Sequence, residues 1–413
     1  MKYCILLAFI LLNITALCWA ELQVGAGKHV VTPNPLLPVS GGIGTSHPTT
    51  QKLGDLWVRA MVLDKDGTRM VIVGADFLGF PKVLGDRVRR HVIGIPPENI
   101  IIGVTHTHSA PDMYGFPDEE GNFTTDLKYV DWVCNQMIEA INEAVNNLQP
   151  ASLKIATGEA RGRIAYNYYA PDLYDPRCDV IQAVDSKGKP IVTLVNYAVH
   201  PEVLGSKKGI CSPDMIGPFY QRIEEKAGGI AIFMNGAQGG MVTADVRDPK
   251  TGEDIQTWGE CQRIGNLLAD ESLRIIADAP LQENPRLECY TKAFTFPIDS
   301  PLLRMILKVS PLGYESNPDG SATTQVNLVN LGNAQILTIP GEALPNIGYY
   351  LKRKMHREHN LLFGLTNDAF GYILTKVDWK SFKRYDYISE TCLGEMTGEI
   401  YIEEALKFVN EYQ

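Results

Sequence analysis

The sequence predicts a mixed α/β fold, with largely antiparallel sheets flanked by helices in a single large domain. Three observations carry this. Apolar strands pair across short glycine turns three times along the chain. Helical periods fall between those pairs. No Pro/Gly/Ser-rich linker divides the 413 residues, a length that suits one large domain or two ordinary ones. At 45% hydrophobic and 21% charged residues, the composition is that of a globular chain.

Taken in order, the chain opens with Lys2, an apolar run over 5–12 and a small residue, Ala20, at a cleavage-like position. This pattern reads as an export signal over residues 1–20, too short to span a bilayer without a following stop-transfer stretch. The expected mature chain is therefore 21–413, secreted or periplasmic. Residues 1–20 contain one Lys and no acid, so their removal moves the formal charge from −10 to −11. An acidic balance argues against a nucleic-acid partner, because phosphate binding needs a basic face. No later apolar run reaches about 18 residues, so no transmembrane segment is expected; peripheral membrane contact stays open, and oligomeric state is not legible.

The first hairpin reads as strands at 57–63 and 69–75 about Asp64-Lys65-Asp66-Gly67. The second joins 179–184 to 190–199 through Asp185-Ser186-Lys187-Gly188. The third joins 324–331 to 334–339 through Gly332-Asn333. Glycine supplies the positive φ such turns need. Helices are expected at 81–92, closed by Gly94, at 263–277 and at 343–356. Another follows the apolar stripe Val130, Val133, Met137, Ile138, Ile141, Val145 and Leu148. The six cysteines beyond residue 20 are even in number and scattered, with no CxxC. Disulfides and buried thiols both stay open.

The chemistry concentrates where strands end. The apolar run 100–104 leads into Thr105-His106-Thr107-His108. Two residues apart on a strand, His106 and His108 are expected to share a face. Imidazole is the commonest metal ligand, and such a pair can bind metal or divide roles between ligand and donor. The strand over 192–199 runs into His200 and Pro201. A third ends in Pro340-Gly341-Glu342, and the run 361–365 leads through a loop to Tyr372. Zinc wants nitrogen and oxygen ligands converging from rigid elements, with one position open for water. The stretch 235–243, Asn-Gly-Ala-Gln-Gly-Gly-Met-Val-Thr, follows a short strand. Its glycines allow backbone N–H groups to approach a ligand closely, as an oxyanion cradle does. Asp112, Asp214 and Asn235 are expected as acceptors behind metal-bound histidines. The pair His356/His359 sits among Lys and Arg and reads as a solvated face. Asn122-Phe123-Thr124 is a glycosylation sequon.

THTHSAPD at 105–112, NYAVHP at 196–201, the glycine loop, PGE at 340–342 and GLTNDAFGYILT at 364–375 stand in one order. In that order they resemble the neutral/alkaline ceramidase family, whose members hydrolyse the amide of ceramide with one zinc ion. The likeness runs from the first hairpin to Thr375. It implies one Zn2+ per chain held by His106, His200, Glu342 and Tyr372. It also implies His108 on the scissile carbonyl oxygen and a further active-site tyrosine at Tyr385, with Tyr387 as the other choice. The implied function is a zinc-dependent amidohydrolase of sphingolipid metabolism that cleaves ceramide-like N-acyl lipids with zinc-activated water. Gly239 and Gly240 are then possible oxyanion helpers.

The chain also departs from the family pattern. Gly240 stands where the family has Asp, and Val242 where it has a catalytic Ser; Thr243 offers a hydroxyl one position later. Tyr168 stands where related chains often have an arginine, with Arg163 nearby. The sequence ends about 40 residues after Tyr372, against roughly 100 for the C-terminal β-sandwich of full-length members. That domain is expected to be absent. These departures keep alternatives open: a zinc hydrolase of the same scaffold acting on another amide or ester, or a non-catalytic binding homologue.

Overall fold

The computed structural model describes residues 21–413; the export signal expected at 1–20 lies outside the described residues. The chain builds one design three times. Each unit is a three-strand antiparallel meander, a crossover helix, a fourth strand parallel to the third, and a closing helix.

The first unit comprises β1 (Gln23–Val30), β2 (Trp57–Lys65), β3 (Thr68–Ala75), α1 (Lys82–Arg89), β4 (Ile100–Val104) and α2 (Leu127–Asn146). The second comprises β5 (Ser152–Glu159), β6 (Arg177–Val184), β7 (Pro190–Tyr197), α3 (Ile216–Ala227), β8 (Ile230–Asn235) and α4 (Trp258–Ile276). The third starts with β9 (Leu287–Phe296) and carries an inserted helix, α5 (Pro301–Val309), before β10 (Ala322–Leu331). It continues with β11 (Ala334–Thr338), α6 (Pro345–Lys354), β12 (His359–Phe363) and α7 (Thr397–Glu411).

The three expected hairpins are present, as β2–β3, β6–β7 and β10–β11. Gly67 and Gly188 close the first two with φ of 84° and 77°, backbone that side-chain-bearing residues adopt at a cost. The sheets are antiparallel throughout each meander. Only the last pair of each sheet is parallel: β3 with β4, β7 with β8, and β11 with β12. A parallel neighbour needs a long crossover, and α1, α3 and α6 are those crossovers.

Side-chain alternation along the strands decides the layers. On β3, Met70 and Ile72 point to one face, Val71 and Val73 to the other. Met70 and Ile72 join Leu194 and Ile232 of the second sheet and Ile336 and Phe363 of the third in a single shared core. The opposite faces each carry their own helices: α1 and α2, then α3 and α4, then α6 and α7. Three sheets thus meet back to back, with helices outside.

Helix starts follow local chemistry. Asp126 caps α2 by accepting from the N–H groups of Lys128 and Tyr129, a stabilisation of about 1 kcal/mol. Among the described residues the six cysteines are free thiols. Burial pushes the Cys134, Cys178, Cys211 and Cys289 thiols up to about 12, which makes them inert. No helix among the described residues is long and apolar enough to cross a membrane.

Candidate metal centre

Parallel pairs end together, and the chemistry gathers at their carboxyl ends. From the first unit, β4 stops at Val104. The chain then turns sharply at His106, whose φ of 70° lies in the left-handed region. His106 and His108 are therefore not on the strand. They share a site because of that turn, not because of strand alternation. A non-glycine residue held there stores on the order of 1–3 kcal/mol of strain. The N–H groups of Thr105 and His106 hold the turn by donating to Ala75 and Phe77 carbonyls, both at 2.9 Å.

His106 Nδ1 lies 2.5 Å from the Leu78 carbonyl, and His200 Nδ1 lies 2.7 Å from the Val242 carbonyl. A carbonyl only accepts, so both rings carry a proton on Nδ1. In the neutral ring Nε2 is then a bare lone pair. These two nitrogens face one carboxylate oxygen: Glu342 Oε2 is 3.5 Å from His106 Nε2 and 3.1 Å from His200 Nε2. Lone pairs facing a carboxylate require positive charge between them, as ring protons or as a metal cation. Burial would raise the Glu342 carboxyl pKa, but the two histidines outweigh it and hold it well below the carboxylate range. Burial opposes the charged form of His200 too, and the Glu342 hydrogen bond overrides it, raising the ring's pKa.

The spacing suits a metal. Two ligand atoms on one tetrahedral zinc, each at about 2.0–2.1 Å, are about 3.3–3.4 Å apart. The ring nitrogens of His106, His108 and His200 lie within 4.8 Å of one another, so this donor set fits a small divalent cation. His108 packs edge-on to His106, ring centres 4.8 Å apart. Its Nε2 is buried without a hydrogen-bond partner, and its Nδ1 lies 3.7 Å from Glu202 Oε2. Burial lowers its pKa to about 3, so the ring is neutral.

Glu342 comes from the third unit, in a short parallel pairing with Tyr372. Tyr372 shares the cavity, but its hydroxyl donates to Met241 Sδ at 3.4 Å. Burial and the nearby Glu342 charge raise its pKa well above the ordinary phenol value. The cavity, about 560 Å³, is lined at this end by His106, His108, Glu342, Tyr372 and Tyr387. Its apolar walls include Ile43, Leu78, Tyr114, Phe116, Leu303 and Ile306.

Several expected residues are placed elsewhere. Tyr385 packs on Tyr169 and Phe382 and does not line the cavity; Tyr387, two residues on, does. The Gly239 N–H already donates to the Ala343 carbonyl at 2.9 Å, so it cannot serve as an oxyanion donor in this arrangement, and neither Gly239 nor Gly240 lines the cavity. The glycine loop instead supports Glu342: a Cβ at Gly239 would stand 2.1 Å from the Glu342 carbonyl oxygen. The Thr243 hydroxyl sits beside the Glu202 carboxylate and helps hold its pKa down. Arg163 is tied to the Arg247 and Asp245 backbone carbonyls, and Tyr168 is largely exposed.

Backbone carbonyls, not the expected side chains, receive the histidine protons. Asp112 serves the N–H groups of Tyr114 and Phe116, and Asp214 those of Leu204 and Met215. Asn235 acts one step back. Its Nδ2 donates to the carbonyls of Thr105 at 3.0 Å and Val199 at 2.7 Å, the residues immediately before His106 and His200. Its Oδ1 accepts from the N–H groups of Val199 and Gly236. Glu202 was missed from the sequence; its position two residues after His200 was the only signal.

No family model matches the chain. It is 28% identical over 187 residues to neutral ceramidase B of Dictyostelium discoideum, covering 38% of this chain and 25% of that protein. Against neutral ceramidase A of the same organism it is 26% identical over 189 residues, with the same coverage. The matched stretch thus spans a quarter of the length of these curated relatives. The crystal structure of neutral ceramidase from Pseudomonas aeruginosa superposes with a TM-score of 0.75 at 17% identity, covering 94% of this chain and 73% of that one. A structure of a ceramidase complexed with C2 gives 0.73 at 18%, covering 94% and 74%. The chain shares the fold of these ceramidases along nearly all its length, and over 38% of it the sequence is related to two curated neutral ceramidases.

Proposed function

We propose that this chain is a zinc-dependent hydrolase of N-acyl amides, with ceramide-like lipids as substrate. One observation carries the reading: His106 and His200, each from a different unit, bring Nε2 to 3.5 and 3.1 Å from one oxygen of Glu342, from the third, and His106 and Glu342 line a cavity. The names of the relatives support the amide and the lipid. His106, His200 and Glu342 would hold the metal, with Tyr372 as the fourth ligand that the resemblance implies. A zinc ion there supplies a Lewis acid for an acyl carbonyl and lowers the pKa of a water molecule.

The chain's own residues do the rest. The Leu78 and Val242 carbonyls keep both Nε2 lone pairs aimed at the centre. Tyr114 and Phe116, stacked with ring centres 4.4 Å apart, offer apolar wall to an acyl chain together with Leu303 and Ile306. Neutral His108 and Tyr387 line the same cavity and are the polar groups offered to an incoming carbonyl. The export signal expected at 1–20 would place the enzyme outside the cytosol.

The test is metal analysis of purified protein combined with release of fatty acid from N-acylsphingosine. Stoichiometric zinc with turnover supports the reading; protein that takes up no zinc sinks it. A second reading, the same zinc chemistry on a different amide or ester, is favoured by Val242. An apolar side chain stands where the family has its catalytic Ser, and the adjacent Thr243 hydroxyl sits beside the Glu202 carboxylate. Turnover of short acyl amides or esters with none of ceramide would select it. Zinc-loaded protein that turns over neither would leave a binding homologue.

A further inference from the structure

We propose that Asp368 and Tyr114 form a polar subsite in the wall of this cavity, which selects a substrate whose chain carries a hydrogen-bond donor, a hydroxyl or a protonated amine, over one with a plain hydrocarbon chain. The inference rests on the reading that the cavity takes the chain of an acyl amide.

Asp368 is buried and lines the cavity. Its two oxygens stand differently. Oδ1 accepts from the N–H groups of Lys82 at 3.0 Å and Ala369 at 2.9 Å. Lys82 opens α1, and a helix start favours negative charge. Among the described residues no hydrogen bond reaches Oδ2. The Lys82 ammonium also lines the cavity but is tied to Asp86. The Thr324 hydroxyl sits beside the carboxylate, yet it is buried without a hydrogen-bond partner. A buried acceptor without a donor is costly, and a hydrocarbon chain lying here would leave Oδ2 in that state.

Tyr114 lines the same cavity, and its hydroxyl makes no hydrogen bond among the described residues. It has room because residue 79 is glycine: a Cβ there would stand 2.1 Å from the hydroxyl oxygen. Burial raises the phenol's pKa, and the charges of Glu342 and Asp368 add to the rise, so the hydroxyl lies within electrostatic reach of both carboxylates.

The loop that presents Asp368 is strained. Leu365 and Asn367 have φ of 46° and 69°, a region that non-glycine residues rarely adopt. Asn367 is locked in place: its Oδ1 accepts from Arg89 Nη2 at 2.8 Å and the Ile102 N–H at 3.1 Å, and its Nδ2 donates to Asn327 Oδ1 at 2.8 Å. Strained backbone that its surroundings over-determine clusters at binding sites. A hydroxyl can donate to Oδ2 and accept from Tyr114; a protonated amine can donate to both. A methylene does neither.

The experiment walks a hydroxyl, and separately an amino group, along the acyl chain of a straight-chain N-acyl amide, one carbon at a time. It reads kcat/KM and, by calorimetry, affinity for the full-length protein. At one chain position the substituted compound is expected to be favoured over the plain one by about 10- to 100-fold. Asp368→Asn keeps an oxygen for the two amides and turns an NH2 group to the cavity, so preference for the amine is expected to vanish. Tyr114→Phe keeps the ring and is expected to cut either preference by about 3- to 10-fold. Equal affinity along the whole series, or a preference that both variants leave intact, overturns the subsite alone. Selective binding with no turnover of any member supports the subsite and removes the hydrolase reading. A protein that binds no member overturns both.

Discussion

Glu342 Oε2 stands 3.1 Å from His200 Nε2 although the two residues are 142 positions apart and follow strands of different sheets. Because the Val242 carbonyl holds the ring's other nitrogen, this contact is favourable only with a proton or a cation in it. Zinc binding should therefore stabilise the fold. At a free concentration of 100 times Kd the gain is about 2.7 kcal/mol. Calorimetry with zinc and with excess chelator checks it: the melting temperature should fall by several degrees on chelation, and an unchanged value counts against a metal at this point.

His106→Ala and His200→Ala should each lose both zinc and turnover. Zinc content after dialysis, read beside activity, is the measurement. Full occupancy in either variant means that the ligand set is wrong.

Asn235→Asp should loosen two loops at once. The substitution keeps the shape but sets a carboxylate oxygen against the carbonyls of Thr105 and Val199. Two buried hydrogen bonds are lost, at about 1–3 kcal/mol each. Chemical denaturation should show that loss, and chelator competition should show zinc affinity about 10-fold lower. A variant as stable as the parent would remove Asn235 from the account.

Gly239→Ala should act on Glu342 through the backbone. The new methyl would meet the Glu342 carbonyl oxygen at 2.1 Å, so one segment must shift. A cost of about 1–3 kcal/mol is expected, with weaker zinc binding. A crystal structure of the variant with Glu342 unmoved would contradict this.

Asp76 predicts a pH dependence. It is fully buried, and burial pushes its carboxyl from 3.8 up to about 7 against Arg59, the Trp57 N–H and the Tyr220 hydroxyl. Between about pH 4 and 7 the folded chain holds a proton that the unfolded chain has released. Stability from this group therefore falls as pH rises through that window and is level above it. Three pH units correspond to at most about 4 kcal/mol. Asp76→Asn should be more stable than the parent at pH 8 and equal to it near pH 4, by denaturant midpoints at both. Parallel pH curves for the two proteins would refute the assignment.

Much of this was readable from residue order alone. Gly67, Gly188 and Gly332 mark the hairpins because only certain residues tolerate their turns. His106, His200 and Glu342 stood out because each follows an apolar strand. The strand spacing of His106 and His108 reached the right face for the wrong reason: the left-handed turn at His106 has no local sequence mark. The choice between Tyr385 and Tyr387 depends on how a short helix after Phe382 presents its sides, which is a matter of packing. The Gly239 amide looked free because its acceptor, the Ala343 carbonyl, arrives from another unit. Glu202 was invisible as a partner of His108 until two sheets were set side by side.

The threefold arrangement has a practical consequence. No unit owns the centre; each lends it one or two groups, so the centre is a junction. A nick or linker change that leaves every helix and strand wound, yet lets one sheet slip by an ångström, would silence the protein while its far-ultraviolet spectrum stayed the same. Integrity here is something to be assayed chemically, since spectroscopy of secondary structure would miss its loss.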